Sequence, residues 1–168
     1  MKRRPGSEFC GEYWQNRWRQ YLKFVGDLAD KQAAASVLEI GANGLGIYTD
    51  SDTMEVRERV AATYHHDATV PPWPIPDKAY DLGIATQVWE HLKGGQARAF
   101  AELRRTCRRA ILSYPLGWKT QDPGNCHNGI TKATIDAWAG HHPFTAEYEV
   151  GAPGRRRLVR VYDLGEEQ

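Results

Sequence analysis

The residues best suited to ligand binding form a turn directly after an apolar run. In Glu39-Ile40-Gly41-Ala42-Asn43-Gly44-Leu45-Gly46, an acid ends the run, and glycines and an asparagine follow. Glycine lets backbone N–H groups face a bound group with no Cβ in between, and it tolerates positive φ. Asparagine adopts the same conformation more readily than most residues. The segment therefore predicts a buried strand that ends in a ligand-binding loop.

Further residues capable of proton transfer or hydrogen bonding follow later apolar runs. They are Asp67 and Ala68, Thr86 and Gln87, Glu90 and His91, and His127. Imidazoles can accept protons near neutral pH, so His91 and His127 are the candidates for a catalytic base. A purely structural histidine explains His91 equally well, and turn chemistry at 122–125 explains the polar loop around His127.

Helical and strand patterns alternate along the chain and must position these residues. The predicted helices are 12–31, 95–107 and 131–139, and the predicted strands are 36–40, 62–66, 80–86, 109–114, 145–150 and 158–162. Alternation of this kind predicts a Rossmann-like α/β fold, with a mostly parallel sheet and helices on both faces. The last two strands predict a C-terminal antiparallel hairpin. Ligands of parallel sheets bind beyond the carboxyl ends of the strands, where the candidate residues should converge.

Composition predicts a single domain over residues 1–168, with an N-terminal tail and aromatic helix in 1–34 and a core in 35–163. The first ten residues are expected to be frayed. A net charge of +1 gives no strong nucleic-acid or membrane signal. There is no apolar run long enough to span a bilayer and no signal-peptide pattern, so we expect a cytoplasmic protein. Three cysteines without a C-x-x-C pair disfavour a disulfide framework or a zinc site.

Four pieces, in this order, resemble the class I S-adenosylmethionine-dependent methyltransferases, especially their small-molecule branch. They are 39–46, similar to the first motif; 67–85, similar to the loop and fourth strand; 87–92, similar to the Glu-His turn; and 110–115, similar to the fifth strand. The resemblance covers about residues 35–163. It implies S-adenosylmethionine as the cofactor and methyl transfer to a small-molecule acceptor. It also implies that Glu39 organises the first loop and meets the cofactor's amino group.

The match departs from the family pattern after the first motif. Asn43 stands where the family usually has its second glycine. Residues 47–66 are few for the helix, the second strand ending in an acid, the further helix and the third strand that the family usually has there. The chain therefore looks like a trimmed member.

Two threadings of this short region compete. In one, Ile47–Asp50 is a clipped second strand and Asp50 binds the ribose. In the other, residues 41–61 form the whole crossover and 62–66 lies beside the first strand. The second is favoured, because a parallel neighbour needs a crossover of about a dozen residues. Asp67 is then expected to bind the ribose, or the adenine amino group.

The predicted cofactor contacts are Glu39, Gly41, Asn43, Gly44, Asp50, Asp67, Ala68, Thr86 and Gln87. A metal is not expected. In related families a glutamate three residues before the Glu-His pair completes a divalent-metal site, but here that position is Gln87, and a neutral amide is a poorer ligand for a hard cation.

The acceptor should meet the N-terminal helix, the 115–129 loop or a second subunit, in which case the protein is a homodimer. Tyr13, Trp14, Arg17 and Trp18 either cover the cofactor as a lid or pack on the sheet. Residues 155–157 form either a solvated hairpin tip or a contact for an acidic acceptor. Two alternative functions remain: a non-catalytic S-adenosylmethionine-binding or scaffolding module, and an NAD-dependent oxidoreductase, which requires a helix opening at the glycines.

Overall fold

The computed structural model describes residues 1–165, which surround a seven-stranded sheet of order β3-β2-β1-β4-β5-β7-β6. The strands are β1 Val37–Ile40, β2 Asp52–Glu55, β3 Tyr64–His65, β4 Tyr80–Thr86, β5 Cys107–Pro115, β6 Ala146–Val150 and β7 Arg157–Asp163. The helices are α1 Glu12–Arg17, α2 Lys23–Asp30, α3 Gln96–Thr106 and α4 Lys132–Trp138, with a π-helical segment Trp18–Leu22 between α1 and α2 and short 3-10 turns at Gly6–Glu8 and Trp89–His91.

The pairing of the strands confirms the predicted Rossmann-like α/β class. Strands β1 to β5 are parallel to one another. Strand β7 runs antiparallel to both β5 and β6, so the C-terminal hairpin adds two strands to the edge. Strand β4 is apolar and almost wholly buried, as expected for a central strand covered on both sides.

Two apolar clusters cover the opposite faces of the sheet. Val25 of α2 belongs to the same cluster as Ile84 of β4. Leu103 of α3 and Ile135 of α4 belong to the other cluster, with Leu112 of β5. Helices therefore lie on both faces, as predicted. Among residues 1–165, no helix is both long and apolar enough to cross a membrane.

The favoured threading of the region after β1 is wrong. Strand β2, at Asp52–Glu55, pairs with β1, and Tyr64–His65 pairs with β2 rather than with β1. Residues 41–51 between β1 and β2 contain no helix. The alternative threading placed the second strand five residues too early, at Ile47–Asp50. A strand made of Asp, Thr, Met and Glu has little apolar character and low β propensity, which is why its pattern was not recognised.

The N-terminal residues are docked rather than frayed. The Arg4 N–H donates to the Ile47 carbonyl at 2.8 Å, and the Thr49 N–H donates to the Lys2 carbonyl at 3.0 Å. These bonds form an antiparallel bridge between Arg3 and Tyr48. The first residues of the chain therefore satisfy backbone groups of the connection between β1 and β2.

Helix α4 follows the loop that carries His127, and a capping box fixes its start. The Thr134 N–H donates to Thr131 Oγ1 at 3.1 Å. We predict that Thr131→Ala lowers the free energy of unfolding by about 1 kcal/mol, which corresponds to a fall in Tm of about 2–4 °C for a domain of this size. Thr131→Ser keeps the acceptor and should melt like the wild type; equal losses in both variants would contradict the role of the cap.

Candidate functional site

A cavity of about 1030 Å³ opens beyond the carboxyl ends of β1, β2, β3 and β4. This volume is at the upper end of the range for small-molecule sites. The predicted residues that line it are Glu39, Gly41, Asn43, Asp67, Ala68, Thr86, Gln87, His91 and His127. Gly44 and Asp50 lie outside its lining. The structure thus brings most of the sequence candidates to one rim of the sheet.

The turn after β1 brings the backbone close to the cavity. Gly41 and Asn43 both have positive φ, at 66° and 53°. A Cβ added at Gly41 would lie 2.7 Å from Val88 Cγ2, so space as well as conformation requires glycine there. Gly44 also has a positive φ, of 80°, and serves the geometry of the turn.

Glu39 organises the loop that follows this turn. Its carboxylate accepts hydrogen bonds from the Ile47 N–H at 2.7 Å and the Tyr48 N–H at 2.9 Å. It also accepts the Ser51 hydroxyl at 2.8 Å. Burial raises the pKa of Glu39, although these three donors act in the opposite direction. The carboxylate is therefore already hydrogen-bonded on both oxygens within the protein.

Sequence reasoning missed Glu55, the acid that ends β2. It is buried, lines the cavity and accepts a hydrogen bond from the Asn43 N–H. Arg57 donates to the Asn43 side-chain oxygen at 3.0 Å, which ties the glycine turn to the residues after β2. Burial raises the pKa of Glu55, while the Asn43 N–H and the Arg57 charge lower it. A second strand ending in an acid is implied by the resemblance, and that expectation could have identified Glu55.

The two aspartates proposed for the ribose occupy different places. Asp50 is exposed and accepts the Lys2 N–H at 2.7 Å, so its place outside the cavity argues against the proposed contact. Asp67 lines the cavity beyond β3. Its Oδ1 accepts both the N–H and the hydroxyl of Thr69 at 2.8 Å, and these bonds hold the pKa of Asp67 below its usual value.

Gln87 presents an unpaired polar group beside Thr86 at the end of β4. Its backbone has a φ of 59°, and its N–H donates to the Ser113 carbonyl at 3.1 Å. The side-chain Nε2 is buried, with no hydrogen-bond partner in residues 1–165. Because buried amides are normally hydrogen-bonded, a ligand in the cavity is the natural partner for this donor.

Glu90 and His127 form a buried acid–imidazole pair. Glu90 Oε1 lies 3.5 Å from His127 Nε2, which is ion-pair distance but longer than a hydrogen bond, and neither Glu90 oxygen has a hydrogen-bond partner within the described residues. Burial raises the pKa of Glu90 to about 7. Burial, followed by the charges of His91 and nearby arginines, lowers the pKa of His127. Both shifts therefore favour the uncharged forms of the two groups.

His91 and Cys126 complete the polar cluster around His127. Cys126 Sγ lies 3.3 Å from His91 Nδ1, and burial lowers the pKa of His91. His91, Cys126 and His127 place one potential metal-ligand atom each within 4.8 Å of one another. However, Asn125 Oδ1 lies 2.6 Å from His127 Nδ1, and Glu90 faces the other ring nitrogen. Asn125 thus holds Nδ1 of His127, and Nε2, which faces Glu90 at 3.5 Å, is the ring nitrogen left for acid–base chemistry.

The aromatic residues and Arg17 of the N-terminal helix were predicted either to cover the cofactor or to pack on the sheet, and the structure divides them between a cavity wall and the core. Tyr13, Trp14 and Arg17 line the cavity. Trp18 instead stacks on Phe9, with ring centroids 4.7 Å apart, and packs against the core. One part of this helix therefore forms a wall of the cavity, and another anchors it to the sheet.

Comparison with solved structures shows the fold of the class I S-adenosylmethionine-dependent methyltransferases. The PH0226 protein of Pyrococcus horikoshii OT3 aligns over 93% of each chain, with a TM-score of 0.70 and 15% identity. A SAM dependent methyltransferase from Aquifex aeolicus aligns over 94% of this chain and 98% of its own, with a TM-score of 0.63 and 10% identity. The N-methyltransferase NodS of Bradyrhizobium japonicum WM9, in complex with S-adenosylhomocysteine, aligns over 93% of this chain and 94% of its own, with a TM-score of 0.61 and 10% identity. No protein-family model and no curated protein matches the sequence. At such identities the likeness establishes the fold alone.

The buried Glu90 makes stability depend on pH in a testable way. Its pKa is about 7 in the folded state and near 4.5 when exposed, so the folded protein binds the proton more tightly and loses stability as the pH rises between these values. Glu90→Gln removes this loss. We predict similar unfolding free energies for the two proteins at pH 5 and an advantage for Glu90→Gln approaching about 3 kcal/mol above pH 8, at 1.36 kcal/mol per pKa unit.

Urea unfolding of both proteins at pH 5 and pH 8 tests this prediction. The exposed Glu12 supplies a matched control, since Glu12→Gln should leave the pH slope unchanged. A difference between Glu90→Gln and wild type that stays constant with pH would show that Glu90 does not titrate in this range.

Proposed function

We propose that the protein catalyses methyl transfer from S-adenosylmethionine to a small-molecule acceptor. One observation carries the proposal: in a fold shared with solved methyltransferases, the glycine turn after β1, the acid that ends β2 and the histidine cluster line a single cavity. When bound, S-adenosylmethionine supplies a methyl group on a cationic sulfur. The residues of this chain must then bind the cofactor, align the acceptor and remove a proton where the acceptor carries one.

The residues along the strand ends fit the parts of this cofactor. Glu55 ends the strand next to β1 and would hold the ribose hydroxyls, because a buried carboxylate is a strong acceptor for them. Asp67 and Ala68, one strand further out, would then meet the adenine. Gly41 permits a close approach of the backbone, and Gln87 and Thr86 would face the methionine part. Glu39 would support this arrangement chiefly through the loop that it holds.

His127 is the proposed general base, with Glu90 behind it. The lowered pKa of His127 keeps the ring neutral at pH 7, so it can accept a proton from an acceptor hydroxyl, thiol or amine. The nearby Glu90 carboxylate would stabilise the imidazolium that results. His91, whose ring meets His127 edge-on at 5.0 Å, would hydrogen-bond or orient the acceptor.

The alternative functions are weighed by particular features. The oxidoreductase alternative needs a helix that begins at the glycine turn to face a dinucleotide pyrophosphate, and residues 41–51 contain none. A non-catalytic S-adenosylmethionine-binding module is favoured only by the shortened connection after β1. It predicts cofactor binding without turnover, so release of S-adenosylhomocysteine with a panel of oxygen, nitrogen and sulfur acceptors distinguishes it from an enzyme.

Cofactor binding can be tested at the two acids that compete for the ribose. We predict that Glu55→Gln weakens S-adenosylhomocysteine binding by about tenfold or more, because it replaces a charged acceptor by a neutral one. Asp50→Asn should bind as the wild type does, since Asp50 lies outside the cavity. Isothermal titration calorimetry measures both. The ribose assignment would be wrong if Asp50→Asn lost affinity and Glu55→Gln kept it.

Catalysis can be tested at the base once the panel identifies an acceptor. We predict that His127→Asn lowers kcat by about 10²–10⁴ and leaves S-adenosylhomocysteine affinity unchanged. Because the pKa of His127 is lowered, protonation of the base itself should reduce the wild-type rate only below the usual titration range of histidine. Addition of EDTA should not change the rate. A loss with EDTA that zinc restores would assign His91, Cys126 and His127 as metal ligands instead.

A further inference from the structure

Of the five arginines that line the cavity, three gather around the rings of Tyr21 and Trp118, with no carboxylate at ion-pair distance in residues 1–165. They are Arg17, Arg155 and Arg157. The Nε atoms of Arg17 and Arg157 are buried and have no hydrogen-bond partner in that range. Arg157 is only 6% exposed. Arg156, by contrast, is exposed and pairs with Glu149 at 3.3 Å.

Aromatic rings hold these cations in place without neutralising them. The Arg157 guanidinium carbon lies 4.4 Å from the centroid of Tyr21 and 4.9 Å from that of Trp118. Arg155 lies 5.0 Å from Trp118, and Arg17 lies 5.1 Å from Tyr21. Cation–π contacts of this kind offset part of the cost of burying a guanidinium.

No carboxylate in residues 1–165 lies at ion-pair distance from this cluster, and the more distant Glu90 is the one acid that acts on Arg157. Arg157 Nη1 donates to Gln20 Oε1 at 2.9 Å and to the Arg155 carbonyl at 3.1 Å, and both acceptors are neutral. Burial lowers the pKa of Arg157, and the charges of Arg17 and Arg155 add to that effect. Burying Arg157 beside two like charges is costly unless an anion joins them.

We propose that Arg17, Arg155 and Arg157 bind an anionic group of the methyl acceptor, either a carboxylate or a phosphate monoester. This inference rests on the proposed function. Guanidinium groups present paired N–H donors that match the oxygens of both anions. Trp118 makes cation–π contacts with Arg155 and Arg157, and its ring stacks on His127 with ring centroids 5.6 Å apart. An anion held by the arginines would therefore leave the rest of the acceptor beside the proposed base.

The position of the arginines favours a small anion over a nucleic acid. The three side chains line one cavity of about 1030 Å³ rather than a stripe across the surface. The chain carries a net charge of only +1, whereas binding along a phosphate backbone needs many spaced cations. The cluster is therefore suited to bind one small anionic group.

Thermal denaturation of the full-length protein at constant ionic strength tests the proposal without knowledge of the acceptor. Inorganic phosphate and benzoate are the anionic probes, and benzamide is the neutral counterpart of benzoate. Phosphate, benzoate or both should raise the Tm of the wild type, with and without saturating S-adenosylhomocysteine, and benzamide should not. The stronger of the two anions distinguishes a phosphate site from a carboxylate site.

Arginine variants locate the response. We expect the apparent affinity for the anion to fall about tenfold or more in Arg155→Gln and in Arg157→Gln. Arg156→Gln should keep the wild-type response, and so provides the matched control. Arg155 is exposed, so its replacement should leave folding intact, and Arg157→Lys keeps a cation if Arg157→Gln does not fold.

Four results would overturn the proposal. The first is a wild type that shows no response to either anion. The second is equal stabilisation by benzamide and benzoate. The third is a response that S-adenosylhomocysteine abolishes, which would assign the arginines to the carboxylate of the cofactor, and the fourth is tighter binding of a ten-nucleotide RNA that depends on Arg155. Failure of S-adenosylhomocysteine to bind in calorimetry would instead overturn the proposed function, since the response to anions is also measured without it.

Discussion

The site depends on the hydrogen bonds that the buried carboxylate of Glu39 accepts from the loop after β1. The connection between β1 and β2 contains no helix, so it cannot satisfy its own backbone groups by regular hydrogen bonding. Glu39 accepts two of its N–H groups and the Ser51 hydroxyl, directly beneath the turn. A Cβ added at Gly46 would lie 2.7 Å from Glu39 Oε1, so the loop closes tightly around this acid. The path of the loop then sets where β2 begins, and with it the position of Glu55 at the end of that strand.

The N-terminal residues also hold the connection between β1 and β2 in place. They pair with the outer edge of the same connection through the bridge between Arg3 and Tyr48. Asp30, at the end of α2, accepts hydrogen bonds from Arg3 Nη1 at 2.9 Å and from the Tyr48 hydroxyl at 2.7 Å. A segment expected to be frayed thus supports a connection that has no helix of its own. The short connection between β1 and β2 is therefore held by the buried Glu39 on one side and by the first residues of the chain on the other.

The sequence predicted those parts of the fold and site that have a local signal. The apolar run ending at Glu39 and the glycine turn predicted β1 and its loop, and the apolar segment 80–86 predicted the central strand. The second strand was missed because Met54 is its only apolar residue, and its place is fixed by pairing with β1 and by the bonds of Glu39 to the preceding loop. The same failure hid Glu55 and gave Asp50 a role that its position argues against. The pairing of Glu90 with His127 joins the segments that follow two neighbouring strands, β4 and β5, which spacing along the chain could not show.

Charge divides the cavity into two ends with different chemistry. Carboxylates at Glu55 and Asp67 lie along the ends of β2 and β3, and this end suits hydroxyl and amino groups. Arginines dominate the end near Trp118, and their charges help to hold the pKa of His127 low. An anion bound there would cancel part of that repulsion and raise the pKa of His127 toward neutrality. The acceptor would then strengthen the base that must deprotonate it, and His127 would be the stronger base when the acceptor is bound than in the free protein.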